Sequence, residues 1–98
     1  MIAYTPRASR QVDALIHHFE ALERAEAIRG LLVALTEAEQ RIERDPGAGL
    51  SAPRPYPALA RAGRAWVKCG RYWVVYSTRP PPVILGVFYE TADIPGRL

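Results

Sequence analysis

Apolar side chains recur along this chain first at helical and then at strand spacing. Ile2 to Thr5 is short and β-prone, Pro6 interrupts it, and Ser9 stands where a helix N-cap is expected. Val12, Leu15, Ile16, Phe19 and Leu22 then form one stripe, with Arg10, Asp13, His17, Glu20 and Arg24 elsewhere on the wheel. That is an amphipathic helix with one buried face. A second stripe runs through Ile28, Leu31, Leu32, Leu35, Ala38 and Ile42. The step from Leu22 to Ile28 falls about a third of a turn short of two turns at ~100° per residue, so the stripes do not line up on one straight rod. The spacing predicts a break near Glu23 to Glu26 and an antiparallel helix hairpin, with Phe19, Leu22, Ile28, Leu31 and Leu35 buried. Gly30 inside the second helix costs about 1 kcal/mol relative to alanine, a cost explained if a neighbouring element passes close by.

Asp45-Pro46-Gly47 stops the second helix, and a proline-rich surface loop runs to Pro57. Valine, aromatic and alternating residues then mark three strands, Ala65 to Cys69, Tyr72 to Thr78 and Val83 to Tyr89, each apolar on both faces. A Gly70-Arg71 turn joins the first two. Arg79-Pro80-Pro81-Pro82 joins the last two and is expected at the edge of the sheet, because prolines donate no ladder hydrogen bonds. An Asp93-Ile94-Pro95-Gly96-Arg97-Leu98 tail follows. The expected architecture is one α+β domain over residues 1–98: an N-terminal strand, a two-helix antiparallel hairpin, and a three-stranded antiparallel meander covered on one face by the hairpin.

Length and composition agree with a single core, at 98 residues and 49% hydrophobic. The lone Cys69 has no internal disulfide partner and the N-terminus has no apolar signal core, which favours a reducing, cytoplasmic setting. The longest charge-free stretch, Pro80 to Tyr89, is far shorter than the ~20 apolar residues of a membrane helix. Charge changes the picture more. Residues 1–49 carry eight acids and six arginines, whereas residues 50–98 carry Arg54, Arg61, Arg64, Lys68, Arg71, Arg79 and Arg97 against Glu90 and Asp93, a balance of +5 (7 − 2). Twelve of the thirteen cations are arginine, whose planar fork suits phosphate and carboxylate. An acidic protein or a nucleic acid fits this half. A solvated face in a composition that favours arginine fits it too.

Little in the chain points to bond-making chemistry. His17 and His18 are adjacent and diverge on a helix, and Cys69 stands alone, so no metal set is expected. Gly47 and Gly49 lie in a loop without the strand and helix that a phosphate-binding loop requires, and no cofactor is expected. Ser9, Ser51 and Ser77 have no triad partners. Cys69 reads as a small half-buried hydrophobe. Trp66, Tyr72, Trp73, Tyr76, Phe88 and Tyr89 interleave with Arg64, Lys68 and Arg71, a pattern that serves base stacking and phosphate contact or simply a two-sided core.

In order and spacing these residues resemble the RelE/ParE superfamily of type II toxin–antitoxin toxins. Tyr4-Thr5-Pro6-Arg7-Ala8 is similar to the opening strand and its exit, and Asp45-Pro46 to the end of the second helix. Gly70-Arg71-Tyr72-Trp73-Val74-Val75-Tyr76 resembles the ParE-type strand that begins Gly-Arg and ends in tyrosine. Val87 to Leu98 resembles the ParE-type close. The chain departs from relatives at Tyr89, where many carry histidine, and at Thr91, where they carry arginine. Trp73 stands where the ribosome-dependent RNases of the RelE branch carry an arginine. The thinned basic set tilts the resemblance to the ParE branch. It implies a toxin acting on DNA gyrase, without covalent catalysis, and neutralised by a cognate antitoxin whose acidic segment docks on the strand half, with Arg61, Arg64, Lys68, Arg71 and Arg97 as target or antitoxin contacts. The alternative is a ribosome-dependent mRNA endonuclease of the RelE type, with Arg54, Arg61, Lys68 and Arg71 holding phosphate and Tyr89 assisting proton transfer. A third reading is a degenerate, non-toxic antitoxin-binding module.

Overall fold

The computed structural model describes residues 2–97, so Leu98, the last residue of the expected tail, lies outside the described residues. Element order is β1 (Ala3–Tyr4), α1 (Pro6–Ala21), α2 (Ala25–Arg44), two 3₁₀ turns (Pro46–Ala48 and Pro57–Leu59), β2 (Arg64–Cys69), β3 (Tyr72–Ser77), β4 (Val83–Tyr89) and α3 (Ile94–Arg97). The sheet runs β1-β4-β3-β2, antiparallel except for β1, which lies parallel to β4 through Ala3↔Val83 and Tyr4↔Ile84. The α+β arrangement of one N-terminal strand, two helices and a three-strand antiparallel sheet is as the periodicity predicts.

Local chemistry sets the helix ends. Thr5, not Ser9, caps α1: its Oγ1 accepts the Ala8 N–H at 3.1 Å, and Pro6 opens the helix. Proline suits that first position because its missing N–H has no intrahelical partner to lose. At the other end Glu23 takes φ 54°, Arg24 N–H donates to Phe19 C=O at 2.9 Å, and Glu23 N–H donates to Glu20 C=O at 3.0 Å. This is a Schellman termination carried by a glutamate where glycine is usual. It produces the expected hairpin.

The hairpin covers one sheet face. Ala8 and Phe19 from α1 and Leu31, Ala34, Leu35, Ala38 and Ile42 from α2 pack with Val67, Tyr72, Val74 and Tyr76. Of the five residues expected to be buried, Leu22 is absent from it and Ile28 is only partly buried against it, and Leu32 of the second stripe also faces outward. Leu22 is 53% exposed because it caps α1 beyond its last turn, and Leu32 is 49% exposed because its neighbour Leu31 holds the inward direction. Gly30 makes no close approach, since an added Cβ would meet nothing within 4 Å. Gly70, at φ 56°, does have a conformational reason: it turns β2 into β3 in the left-handed region.

The opposite sheet face is also dry. Trp66, Trp73, Val75, Phe88 and Ile94 form a second cluster, covered by Tyr56 and Leu59 of the long loop and by Ala92. The proline-rich segment is therefore a cover and not only a surface loop, and Pro53 within it is fully buried. The Arg79–Pro82 turn joins β3 and β4, which are the two interior strands, so it stands at the end of the sheet and not at its edge. A bulge at Leu85 accompanies it, where pairing moves from Val75↔Gly86 to Tyr76↔Ile84. Among the described residues no helix is long and apolar enough to cross a membrane.

Candidate functional site: a basic cluster on the outer sheet face

Strand alternation places Arg64, Trp66 and Lys68 of β2 on the outer face, opposite Ser77, Val75 and Trp73 of β3. Trp73 is 3% exposed and acts as a platform. The Arg54 guanidinium, brought in by the loop, lies 5.4 Å from its ring centroid, and the Lys68 ammonium lies 5.8 Å away. Each such contact contributes about 0.5–1 kcal/mol at a partly exposed position. The Trp73 ring thus orders two cations of the outer face.

Glu90, just past β4, ties this cluster to the β2–β3 turn. Its carboxylate lies 3.4 Å from Lys68 Nζ and 3.6 Å from Arg71 Nη1. Arg71 Nη1 also donates to the Tyr89 hydroxyl at 3.5 Å. That bond comes first among the causes that raise the Arg71 guanidinium above its ordinary value, followed by the charges of Tyr89 and Glu90. Arg54 and Lys68 on the outer face and Arg71 and Tyr89 on the hairpin face therefore flank the same end of the sheet, linked through Glu90.

The other expected contacts lie elsewhere. Arg64 is four residues from Lys68, about 13 Å along an extended strand. Its Nη2 donates to Leu59 C=O at 2.6 Å and its guanidinium lies 5.8 Å from the Trp66 ring, while its Nε is buried without a partner among the described residues. Burial first, then the Arg61 charge, lowers its proton affinity. Arg61 donates to Ala60 C=O at 2.9 Å and to Ala58 C=O at 3.5 Å. Both arginines bond to carbonyls of the covering loop. Arg97 lies at the C-terminal rim of a cavity of about 670 Å³ between α1 and β4, and its carbonyl accepts from the Arg7 guanidinium.

Two participants escaped the sequence reading. Glu90 figured only as a charge to subtract, although its place one residue past β4 and opposite the Gly-Arg turn was readable. Arg24, at the hairpin corner, lines a second cavity together with Arg71, and no local pattern marks that meeting across 47 positions (71 − 24). Cys69 is 1% exposed, its Sγ lies 3.5 Å from Arg41 Nη1, and burial, the largest influence, raises its thiol above the ordinary value. That is an unreactive environment.

No family model matches this chain, and no curated protein matches it.

Proposed function

We propose that this chain is the toxin of a type II toxin–antitoxin pair, of the ParE-like branch of the RelE/ParE superfamily, held inactive by an acidic antitoxin segment and acting on DNA gyrase. The observation that carries the reading is the ordering of Arg54 and Lys68 on the Trp73 ring, with Glu90 linking Lys68 to Arg71 at the end of the sheet. Cations held on a buried ring, with part of each side chain in water, favour docking of a carboxylate-rich segment, since little side-chain freedom is left to lose on association. The branch and the gyrase target rest on the resemblance of the Gly70–Tyr76 strand and the closing segment.

A RelE-type mRNA endonuclease is the second reading, because Glu90 brings the Arg54–Lys68 pair of the outer face and the Arg71–Tyr89 pair of the hairpin face to the same end of the sheet. The same geometry weighs against it. Phosphoryl transfer builds negative charge that positioned donors must stabilise, and the Glu90 carboxylate stands within 4 Å of two of the three cations.

The test pairs gyrase supercoiling with cleavage of mRNA on programmed ribosomes, using the purified chain. The expected result is lost supercoiling with intact mRNA, and restored supercoiling in the Lys68→Glu/Arg71→Glu variant. Codon-specific cuts that vanish in Tyr89→Phe would replace this reading with the second. Inactivity in both assays, together with tight binding of the antitoxin encoded beside the gene, would leave the non-toxic binding module.

A further inference from the structure

A pocket of about 380 Å³ opens on the helix side of the sheet, between the hairpin corner and the β2–β3 turn. Its lining includes Phe19, Arg24, Ala27, Arg71, Tyr72 and Tyr89. Three features make it more than a surface depression. Arg24 and Arg71 reach it from two different turns, and each is held by its surroundings: the Arg24 guanidinium lies 5.9 Å from the Phe19 ring centroid, and Arg71 Nη1 bonds to the Tyr89 hydroxyl. Tyr72 is 4% exposed, packs edge-on against Tyr89 at 5.5 Å, and among the described residues its hydroxyl makes no hydrogen bond. That hydroxyl is not among the fully buried unpaired atoms: it opens into the pocket, where it is free to donate to a ligand. Finally, α2 begins at Ala25 beside the same space, where the Glu26 carboxylate lines the pocket and accepts its own backbone N–H until a stronger anion displaces it.

We propose that this pocket binds a phosphomonoester, with its phosphate held by the Arg24 and Arg71 guanidiniums and the Tyr72 hydroxyl and its organic part against Phe19 and Ala27. Two guanidinium forks and a hydroxyl supply more donors than the two oxygens of a carboxylate use, and they match the three oxygens of a phosphate. The cavity is larger than a bare phosphate fills, and its apolar wall accounts for the remainder. Burial, then the Tyr89 charge, raises the Tyr72 phenol above its ordinary value, against the lowering by Arg24 and Arg71, which keeps it a donor near neutral pH. Glu26, 3.4 Å from Arg24, and Glu90, 3.6 Å from Arg71, hold the guanidiniums until the ligand competes for them. This site lies on the opposite face from Trp73 and does not depend on the toxin reading.

The test titrates phenyl phosphate, inorganic phosphate and benzoate into the full chain, read by calorimetry and by amide NMR shifts. Phenyl phosphate should bind several-fold tighter than either other probe and shift the amides of Ala27, Gly70 and Arg71. Arg24→Ala and Arg71→Ala should each weaken binding by about tenfold or more, the scale of a charge-assisted hydrogen bond. Tyr72→Phe should weaken it by about fivefold while leaving Tm unchanged or higher, because the hydroxyl lacks a protein partner. Benzoate binding as tightly as phenyl phosphate, undiminished affinity in the Arg24→Ala/Arg71→Ala variant, or shifts confined to other regions would overturn the assignment. A fall in Tm for Tyr72→Phe would show that the hydroxyl serves the fold instead.

Discussion

The loop that delivers Arg54 to Trp73 is fastened to the sheet by the Leu50–Trp66 backbone pair, by Arg64 and, near its start, by Tyr76, and a double-mutant cycle tests the Tyr76 fastening. Tyr76 is fully buried, and its hydroxyl donates to Pro46 C=O at 2.6 Å. Gly49 passes over the same ring so closely that an added Cβ would collide with the Tyr76 hydroxyl and lie 2.9 Å from the Ala65 Cβ. Gly49→Ala should therefore cost about 1–3 kcal/mol, the range for forcing a methyl group into a packed site. Tyr76→Phe should cost about 1 kcal/mol through the lost hydrogen bond. The double variant should cost at least ~0.5 kcal/mol less than the sum, because removing the hydroxyl removes the nearest obstacle. Rescue stays partial, since Ala65 remains in place. Urea denaturation of the four proteins measures the cycle, and a shift of about 4–8 °C in Tm per kcal/mol should parallel it for a domain of this size. Strict additivity, or a Gly49→Ala variant as stable as the parent, would refute the close approach.

Leu31→Ala, at a fully buried position, should destabilise by about 2–5 kcal/mol, whereas Leu32→Ala should stay within about 0.5 kcal/mol; equal costs in thermal melts would mean that the inward face of α2 is misassigned. Glu23→Gly should stabilise by about 0.5–1 kcal/mol, the left-handed strain relieved less the chain entropy glycine adds, and a lower Tm would contradict the termination geometry. Tyr4 donates to Glu39 Oε2 at 2.7 Å, and its phenol is raised by burial first and then by the Glu39 bond and charge. A raised folded value means that the stabilisation is complete below the unfolded value near ~10 and is lost as pH climbs through and beyond it. Urea midpoints from pH 8 to the alkaline limit should fall with a shallower slope in Tyr4→Phe, and identical slopes would remove Tyr4 from the account. Glu90→Gln should speed antitoxin association at low salt and tighten phenyl phosphate binding several-fold; a slowing of both would make Glu90 a positioning residue rather than a competitor.

Hydropathy periodicity reached the fold because each element here is amphipathic by its own spacing. The six-residue step between stripes located the hairpin corner, and the valine and aromatic runs located β2, β3 and β4 within a residue or so. It failed where one residue's environment depended on its neighbours. Leu22 is in phase with the α1 stripe but is the C-cap residue, where the chain turns out of the helix, and Leu32 lost its inward direction to Leu31. Pro6 ends the opening strand as expected, but it also opens the helix, which moves the cap back from Ser9 to Thr5.

Site residues were legible in kind but not in company. A basic strand half can be counted, yet counting does not separate arginines that hold the molecule together from those that face a partner. Arg61 and Arg64 bond to the carbonyls at Ala58, Leu59 and Ala60, so they secure the loop that covers Trp66. Lys68 and Arg71, three residues apart across Gly70, are brought to a single carboxylate because the turn folds β2 back onto β3 and β4 ends beside it. Glu90 therefore joins two surfaces that no local sequence pattern connects. Through Lys68 it sets the charge of the outer face around Trp73, and through Arg71 it sets that of the pocket behind the sheet. A partner that drew Lys68 away from this carboxylate would leave Arg71 more firmly held by it, and a ligand that drew Arg71 away would do the same to Lys68. Occupation of one face then opposes occupation of the other through one shared anion, with no movement of the backbone required.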